Sequence, residues 1–267
     1  MHPLEAIILG VVQGITEFLP ISSTGHLILA REVLGLESEF GLAVDATLHF
    51  ATALAVLLYF RADILRLVKS SLLWVRGRVV AAEDQKLILA LLLGTIPAVV
   101  VGLSLEGAIE STFRSAELVA WVLIAGSGLF LLAEWARKRY EAPRAMRVRT
   151  GVIVGCFQAL ALLPGMSRSG ATISGGMLLG LTREAAARFA FLLSFPIILG
   201  AGSKKLLDLG GANLPSGEWL MIALAAAASF GAGIASIHYL LKFLKHHSLM
   251  VFVVYRVLLA LIVLAIV

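Results

Sequence analysis

The sequence predicts an all-α polytopic membrane protein with six transmembrane helices and two re-entrant helical hairpins, arranged as an inverted-topology repeat. Three observations predict it. The 267 residues are 60% hydrophobic and 15% charged, with a mean hydropathy of +0.96, whereas a soluble domain is about half apolar and about a quarter charged. Six apolar segments are each about twenty residues long, enough to cross about 30 Å of hydrocarbon as a helix. Two further apolar stretches are broken at mid-length by proline, glycine and hydroxyl residues.

The six expected spans are 46–64, 87–105, 117–135, 185–203, 219–241 and 249–267. Helix is the conformation expected, because backbone hydrogen bonds in hydrocarbon must be satisfied within the segment. The connections set an orientation. Arg61, Arg66, Lys69, Arg76, Arg78 and Lys86 follow the first span; Arg137, Lys138, Arg139, Arg144, Arg147 and Arg149 follow the third; Lys242 and Lys245 follow the fifth. The alternate connections hold Glu106, Glu110 and Arg114, and Lys204, Lys205, Asp208 and Glu218; Glu37, Glu39 and Asp45 precede the first span. Positive-inside places 61–86, 136–150 and 242–248 in the cytoplasm, with Lys204 and Lys205 running against the pattern. The net charge of +5 therefore belongs to cytoplasmic loops and not to a nucleic-acid surface. Assembly into a homo-oligomer is left open. The N-terminal MHPLEAIILGVVQG, without a basic leader or a small-residue cleavage site, reads as mature structure. Cys156, the one cysteine, excludes an internal disulfide and reads as a small buried hydrophobe.

The broken stretches are 4–34 and 150–182. Each half is too short to span, and a single crossing by either would put the basic loops on opposite sides, so both are expected to enter and leave on one face. The text repeats: GVVQGITEFLPISS resembles GCFQALALLPGMSRS, and LHFATAL resembles ARFAFLL. One membrane domain, 1–267, is thus expected to hold a first repeat, 1–140, and a second, 141–267, each a hairpin followed by three spans. Three is odd, so the second repeat is inverted and the two hairpin tips meet near the midplane.

The breaks carry the chemistry. Gln13 and Glu17 lie four apart on one helix face. Pro20 ends that helix, and Ser22-Ser23-Thr24-Gly25-His26 begins another, with open backbone N–H groups suited to phosphate. The second break, Pro164-Gly165-Met166-Ser167-Arg168-Ser169-Gly170-Ala171-Thr172, repeats the pattern and adds an arginine, the bidentate partner of phosphate oxygens. Together they suit a phosphate or pyrophosphate held within the membrane. Hydrolysis fits: Ser23 to attack phosphorus, His26 to move protons, Arg168 to stabilise equatorial charge, Glu17 with Gln13 to hold a divalent cation. Direct attack by His26 is the other route. His49 and Arg188, at matched places in the repeat, read as supporting residues, Arg256 as an arginine snorkelling to the interface, and His246 and His247 as interfacial loop residues.

GITEFLPISSTGH (14–26) and PGMSRSGATISGG (164–176) resemble the two signature motifs of the undecaprenyl pyrophosphate phosphatase family, the bacitracin-resistance proteins, and the likeness runs end to end. It maps an acidic motif onto Gln13 and Glu17, with glutamine where many relatives have glutamate, and substrate-binding positions onto Ser22, Thr24, Gly25, Gly165, Ser167, Ser169 and Thr172. The resemblance implies hydrolysis of undecaprenyl pyrophosphate to undecaprenyl phosphate and inorganic phosphate, recycling the lipid carrier for the cell wall. It also implies bacitracin resistance, a divalent cation (Mg or Ca), the bacterial inner membrane and an active site facing the outer side. The alternative is a transporter, a flippase of undecaprenyl phosphate or another anionic lipid, since inverted repeats with broken helices are common there.

Overall fold

The computed structural model describes residues 2–36, 41–112, 115–140, 142–209 and 216–266. These residues fold into helices: α1 (Pro3–Phe18), α2 (Ser23–Leu34), α3 (Gly41–Tyr59), α4 (Arg61–Val75), α5 (Ala82–Thr112), α6 (Ala116–Arg137), α7 (Val148–Leu160), α8 (Arg168–Leu178), α9 (Arg183–Leu209), α10 (Ser216–His246) and α11 (Met250–Ile266). Four stretches are long and apolar enough to cross a membrane: Ala82–Ser104, Ala116–Arg137, Arg183–Lys204 and Glu218–His246. Shorter apolar helices cover Val44–Tyr59, Val148–Leu160 and Met250–Ala265. The chain is a polytopic membrane protein.

Both interrupted stretches are helix–break–helix. α1 begins with Pro3 at N1 and a capping box between His2 and Glu5. It ends at Phe18 because Leu19, preceding Pro20, is extended. α7 ends at Leu160, and Gly165 lies at φ 97° in the return to α8. Ser22 and Ser167, immediately before α2 and α8, sit at φ 75° and 68°; they are the non-glycine residues with positive φ among the described residues. Each costs on the order of 1–3 kcal/mol that the surrounding packing must supply.

Three expectations change. The segment 46–64 is not one helix: it stops at Tyr59, and Arg61 opens α4, inside what reads from sequence as a loop. Phe60, only 2% exposed and 6.3 Å ring to ring from Phe191, is drawn into the core and forces the turn. α4 then presents Leu65, Val68, Leu72 and Val75 outward at helical spacing. Cys156 is exposed, not buried; it lies on the outer face of α7, where an apolar solvent makes exposure cheap. Glu37, Glu39 and Arg114 lie outside the described residues.

Small residues let the half-helices pack closely. A Cβ on Gly10 or Gly14 would lie 2.2 or 2.4 Å from the carbonyl oxygens of Ala225 or Ser229 in α10. On Gly151 or Gly155 it would lie 2.5 or 2.0 Å from those of Ala90 or Gly94 in α5. This is backbone-to-backbone packing of the kind that replaces hydrophobic burial where the solvent is itself apolar. Between the half-helices lies a core of Phe18, Phe60, Phe130, Ile173, Met177 and Phe191.

Arg256 corrects the sequence reading most sharply. It does not snorkel: it is 0% exposed. Its guanidinium donates to the carbonyl oxygens of Pro20 (3.4 Å), Gly165 (3.1 Å), Met166 (3.1 Å) and Leu123 (3.1 Å) and to the Ser127 hydroxyl (3.3 Å). It crosses α6 at Gly126, whose Cβ would lie 2.3 Å from Nη2, and lies 4.8 Å from the Phe130 ring centroid. One side chain therefore satisfies backbone carbonyls of both breaks.

Arg256→Leu strands those carbonyls at roughly 1–3 kcal/mol per unsatisfied group. We expect a clear loss of thermal stability in detergent, with Arg256→Lys falling between because ammonium lacks the planar fork. Unchanged unfolding of Arg256→Leu would show the breaks to be held by other means.

Candidate active site

The two breaks meet at one carboxylate. Gln13 and Glu17 share the inward face of α1, and Glu17 Oε2 accepts from Gln13 Nε2 at 2.9 Å. Ser23, the first residue of α2, donates its hydroxyl to the same oxygen at 2.8 Å. Arg168, the first residue of α8, donates to Glu17 Oε1. Each half-helix pair thus delivers its first helical side chain to Glu17, whose own side chain is 2% exposed. An isolated carboxylate there would be prohibitively costly; a guanidinium and two neutral donors make it tenable.

Sequence reasoning understated His49. Its Nδ1 lies 3.0 Å from Gln13 Nε2 and 3.6 Å from Glu17 Oε2, so it belongs to the cluster. Its position opposite Arg188 in the repeat was the available signal. Arg188 itself pairs with Asp63 at 2.7 Å, away from the site.

His26 is held differently from the sequence expectation. Nδ1 lies 2.7 Å from the Ser22 carbonyl and Nε2 lies 2.6 Å from the Tyr255 hydroxyl. The Ser23 hydroxyl meets Glu17 and not the imidazole. Spacing three residues apart on one helix face put Ser23 and His26 together in the sequence reading; side-chain direction separates them.

The remaining candidates divide. Ser167 Oγ caps α8 by accepting from Gly170 N at 3.2 Å and lies 3.1 Å from Ser169 Oγ. Ser169 donates to the Leu19 carbonyl at 3.2 Å, tying one break to the other. Thr172 turns back onto the carbonyls of Arg168 and Ser169. Gly165 offers its carbonyl to Arg256. Gly25 is buried within ordinary contact of Val119, and Thr24 is exposed. Ser22 forms no side-chain cap, so the first-turn amides of α2 lack the partner that Ser167 supplies to α8. A small cavity against the Glu17–Arg168 pair is lined also by Ser169, Thr172 and Ser194. Among the described residues there is no group of three or more His, Cys, Asp or Glu side chains that can hold a metal. Among the described residues, Gln13 Oε1 is a buried acceptor without a hydrogen-bond partner, as is Gln158 Oε1 at the matching place in the repeat.

The family described as bacitracin resistance protein BacA matches residues 6–262. Proteins called undecaprenyl-diphosphatase are similar over almost the whole chain. The one from Hahella chejuensis is 44% identical over 259 residues, covering 96% of this chain and 95% of its own. Another, from Rubrobacter xylanophilus, is 41% identical over 264 residues, covering 98% and 97%. That of Desulforudis audaxviator is 42% identical over 268 residues, covering 100% and 98%.

Removing one partner of a buried ion pair leaves the other uncompensated, at about 3–5 kcal/mol. Arg168→Met should therefore unfold at a markedly lower temperature in detergent than the parent. Adding Glu17→Gln should restore most of the loss, because both charges are then gone. A double variant no more stable than Arg168→Met would mean that the pair does not carry this part of the fold.

Proposed function

The chain belongs to the bacitracin resistance protein BacA family, and from its relatives and its site we propose that it is an undecaprenyl-diphosphatase. It hydrolyses undecaprenyl pyrophosphate to undecaprenyl phosphate and inorganic phosphate, returning a lipid carrier to cell-wall synthesis. The observation that carries the site assignment is the convergence of Ser23 and Arg168 on Glu17 beside the uncapped start of α2. The terminal phosphate would dock on the first-turn amides of α2 with Ser22, Thr24, Gly25 and the second break around it. It would draw Arg168 onto its equatorial oxygens and bring phosphorus to Ser23 Oγ. Glu17, already accepting the Ser23 hydrogen bond, would receive the proton. A flippase needs phosphate ligands but no hydroxyl bonded to a buried carboxylate, which favours the enzyme.

A divalent cation, Mg or Ca, fits the donor set. Gln13 Oε1 is a buried oxygen without a partner, on the amide whose Nε2 donates to the hard carboxylate of Glu17, and phosphate oxygens and water would complete the shell. Gln13 and Glu17 would hold it, and it would supply charge neutralisation on the pyrophosphate. Chelation should abolish activity, with Mg or Ca restoring it; Glu17→Gln should lose most activity while Gln13→Glu is tolerated. Full turnover in excess chelator would remove the cation.

The membrane arrangement we infer is six spans, two re-entrant hairpins and an inverted repeat, in the inner membrane with the active site facing outward. Exchange of partners supports the repeat: α1 packs on α10 as α7 packs on α5, and α3 meets α9. The matched positive φ of Ser22 and Ser167 supports it again. A cysteine at position 80, on a Cys156→Ser background, should react with impermeant maleimide only from the cytoplasm. Position 40, expected outside, lies beyond the described residues. Outer labelling at 80 would invert the topology.

Ser23→Ala and Arg168→Ala should each lose about 10³-fold or more in turnover, whereas Ser22→Ala and Ser169→Ala keep measurable activity. Rapid quench with labelled pyrophosphate substrate should leave acid-stable label on Ser23. Acid-labile, base-stable label on His26 would assign the attack to histidine, and a burst without label would assign it to water.

A further inference from the structure

Tyr255 has no part in the chemistry described so far, yet it holds the reactive nitrogen of His26. The Ser22 carbonyl can only accept, so His26 Nδ1, 2.7 Å away, carries hydrogen. That directs Nε2 to proton exchange, and Nε2 faces the Tyr255 hydroxyl at 2.6 Å. The rings stack at 5.6 Å with 10° between planes. The neighbouring Arg256 locks α11 onto both breaks, so the phenol has a fixed anchor. Tyr255 is 42% exposed, and its hydroxyl meets the imidazole. Ser23, meanwhile, gives its hydroxyl to Glu17, which leaves His26 free for a different proton.

We propose that Tyr255 is a catalytic residue, the outer member of a Tyr255–His26 relay that protonates the departing lipid phosphate and deprotonates the incoming water. This rests on the phosphatase reading above. In the first half, Ser23 Oγ bonds to the terminal phosphorus and its proton goes to Glu17. As the bond from that phosphorus to the bridging oxygen breaks, the oxygen takes the Tyr255 proton. The phenol oxygen is resupplied from Nε2–H of His26, which takes up its second ring proton beside the pyrophosphate charge and becomes neutral again here with Nδ1–H still on Ser22. In the second half, water loses a proton to the Tyr255 oxygen as the phenol proton returns to Nε2. The water oxygen bonds to phosphorus, and Ser23 leaves with the proton that Glu17 held. Inorganic phosphate departs, and every group regains its starting state.

The test uses the purified full-length chain with a prenyl pyrophosphate, comparing Tyr255→Phe, His26→Gln and the double variant. General acid–base groups contribute about 10²–10⁴-fold. Each single change should lower kcat by about 10²-fold or more while KM stays within about threefold. The double should be no slower than the slower single, because one relay is broken once. A proton inventory in mixed H₂O and D₂O should be curved for the parent, where the relay adds its two protons to the one between Ser23 and Glu17, and linear for Tyr255→Phe. Should Tyr255→Phe misfold, 3,5-difluorotyrosine at 255 keeps the shape with a more acidic phenol, and kcat should shift without KM. Parental kcat in Tyr255→Phe, multiplicative losses in the double, or no response to difluorotyrosine overturns the relay. A parent that releases no phosphate overturns the phosphatase reading; a parent that does, with an inactive Ser23→Ala and an unaffected Tyr255→Phe, overturns the relay alone.

Discussion

Backbone that leaves the helix in an apolar solvent must find partners inside the protein, and Arg256 is the partner. Carbonyls of Pro20, Gly165 and Met166 come from two breaks far apart in sequence and meet on one guanidinium. A planar cation with five donors serves several carbonyls at once; no neutral side chain does. The surroundings follow from it. Gly126 makes room for the guanidinium, Ser127 supplies a further acceptor, and Phe130 covers its face. The strained serines before α2 and α8 persist because the carbonyls beside them are fixed.

With the breaks fixed, the first residues of α2 and α8 can point at the same carboxylate. Glu17 is then both a structural counter-charge and the acceptor for the Ser23 hydroxyl. The two helix starts are not equivalent. Ser167 caps its own helix, and Ser22 leaves the first turn of α2 open. An anion would find free amides on one side and an arginine on the other, which is an asymmetric seat built from similar halves.

The close helix contacts serve the same end. Gly10 and Gly14 bring α1 against α10, and Gly151 and Gly155 bring α7 against α5. A methyl group at any of these would push a half-helix outward and move its break relative to Arg256. Rigidity of the site is set at these glycines, of which Gly14 adjoins Gln13 itself.

Apolar run length and proline–glycine breaks were sufficient to read most of the helices, both interrupted stretches and the polar residues that gather at the breaks, because each is a local property of the chain. Glu17 was legible as a charge in apolar text before the first break, and Ser23 and Arg168 as hydroxyl and charge at helix starts. Partnership was not legible. Equal spacing allowed Ser23 to meet His26, but the fold turned the hydroxyl to Glu17 and the imidazole to Tyr255. Arg256 read as snorkelling because an arginine near a span end ordinarily reaches water; only the arrival of two broken backbones around it made burial the lower-energy choice. Phe60 likewise ended a helix that hydropathy would have continued, because its ring had a place beside Phe191. Local sequence determines which groups need partners, and tertiary packing decides which partner each obtains, since several lie within reach along the chain and only one within hydrogen-bond distance in space.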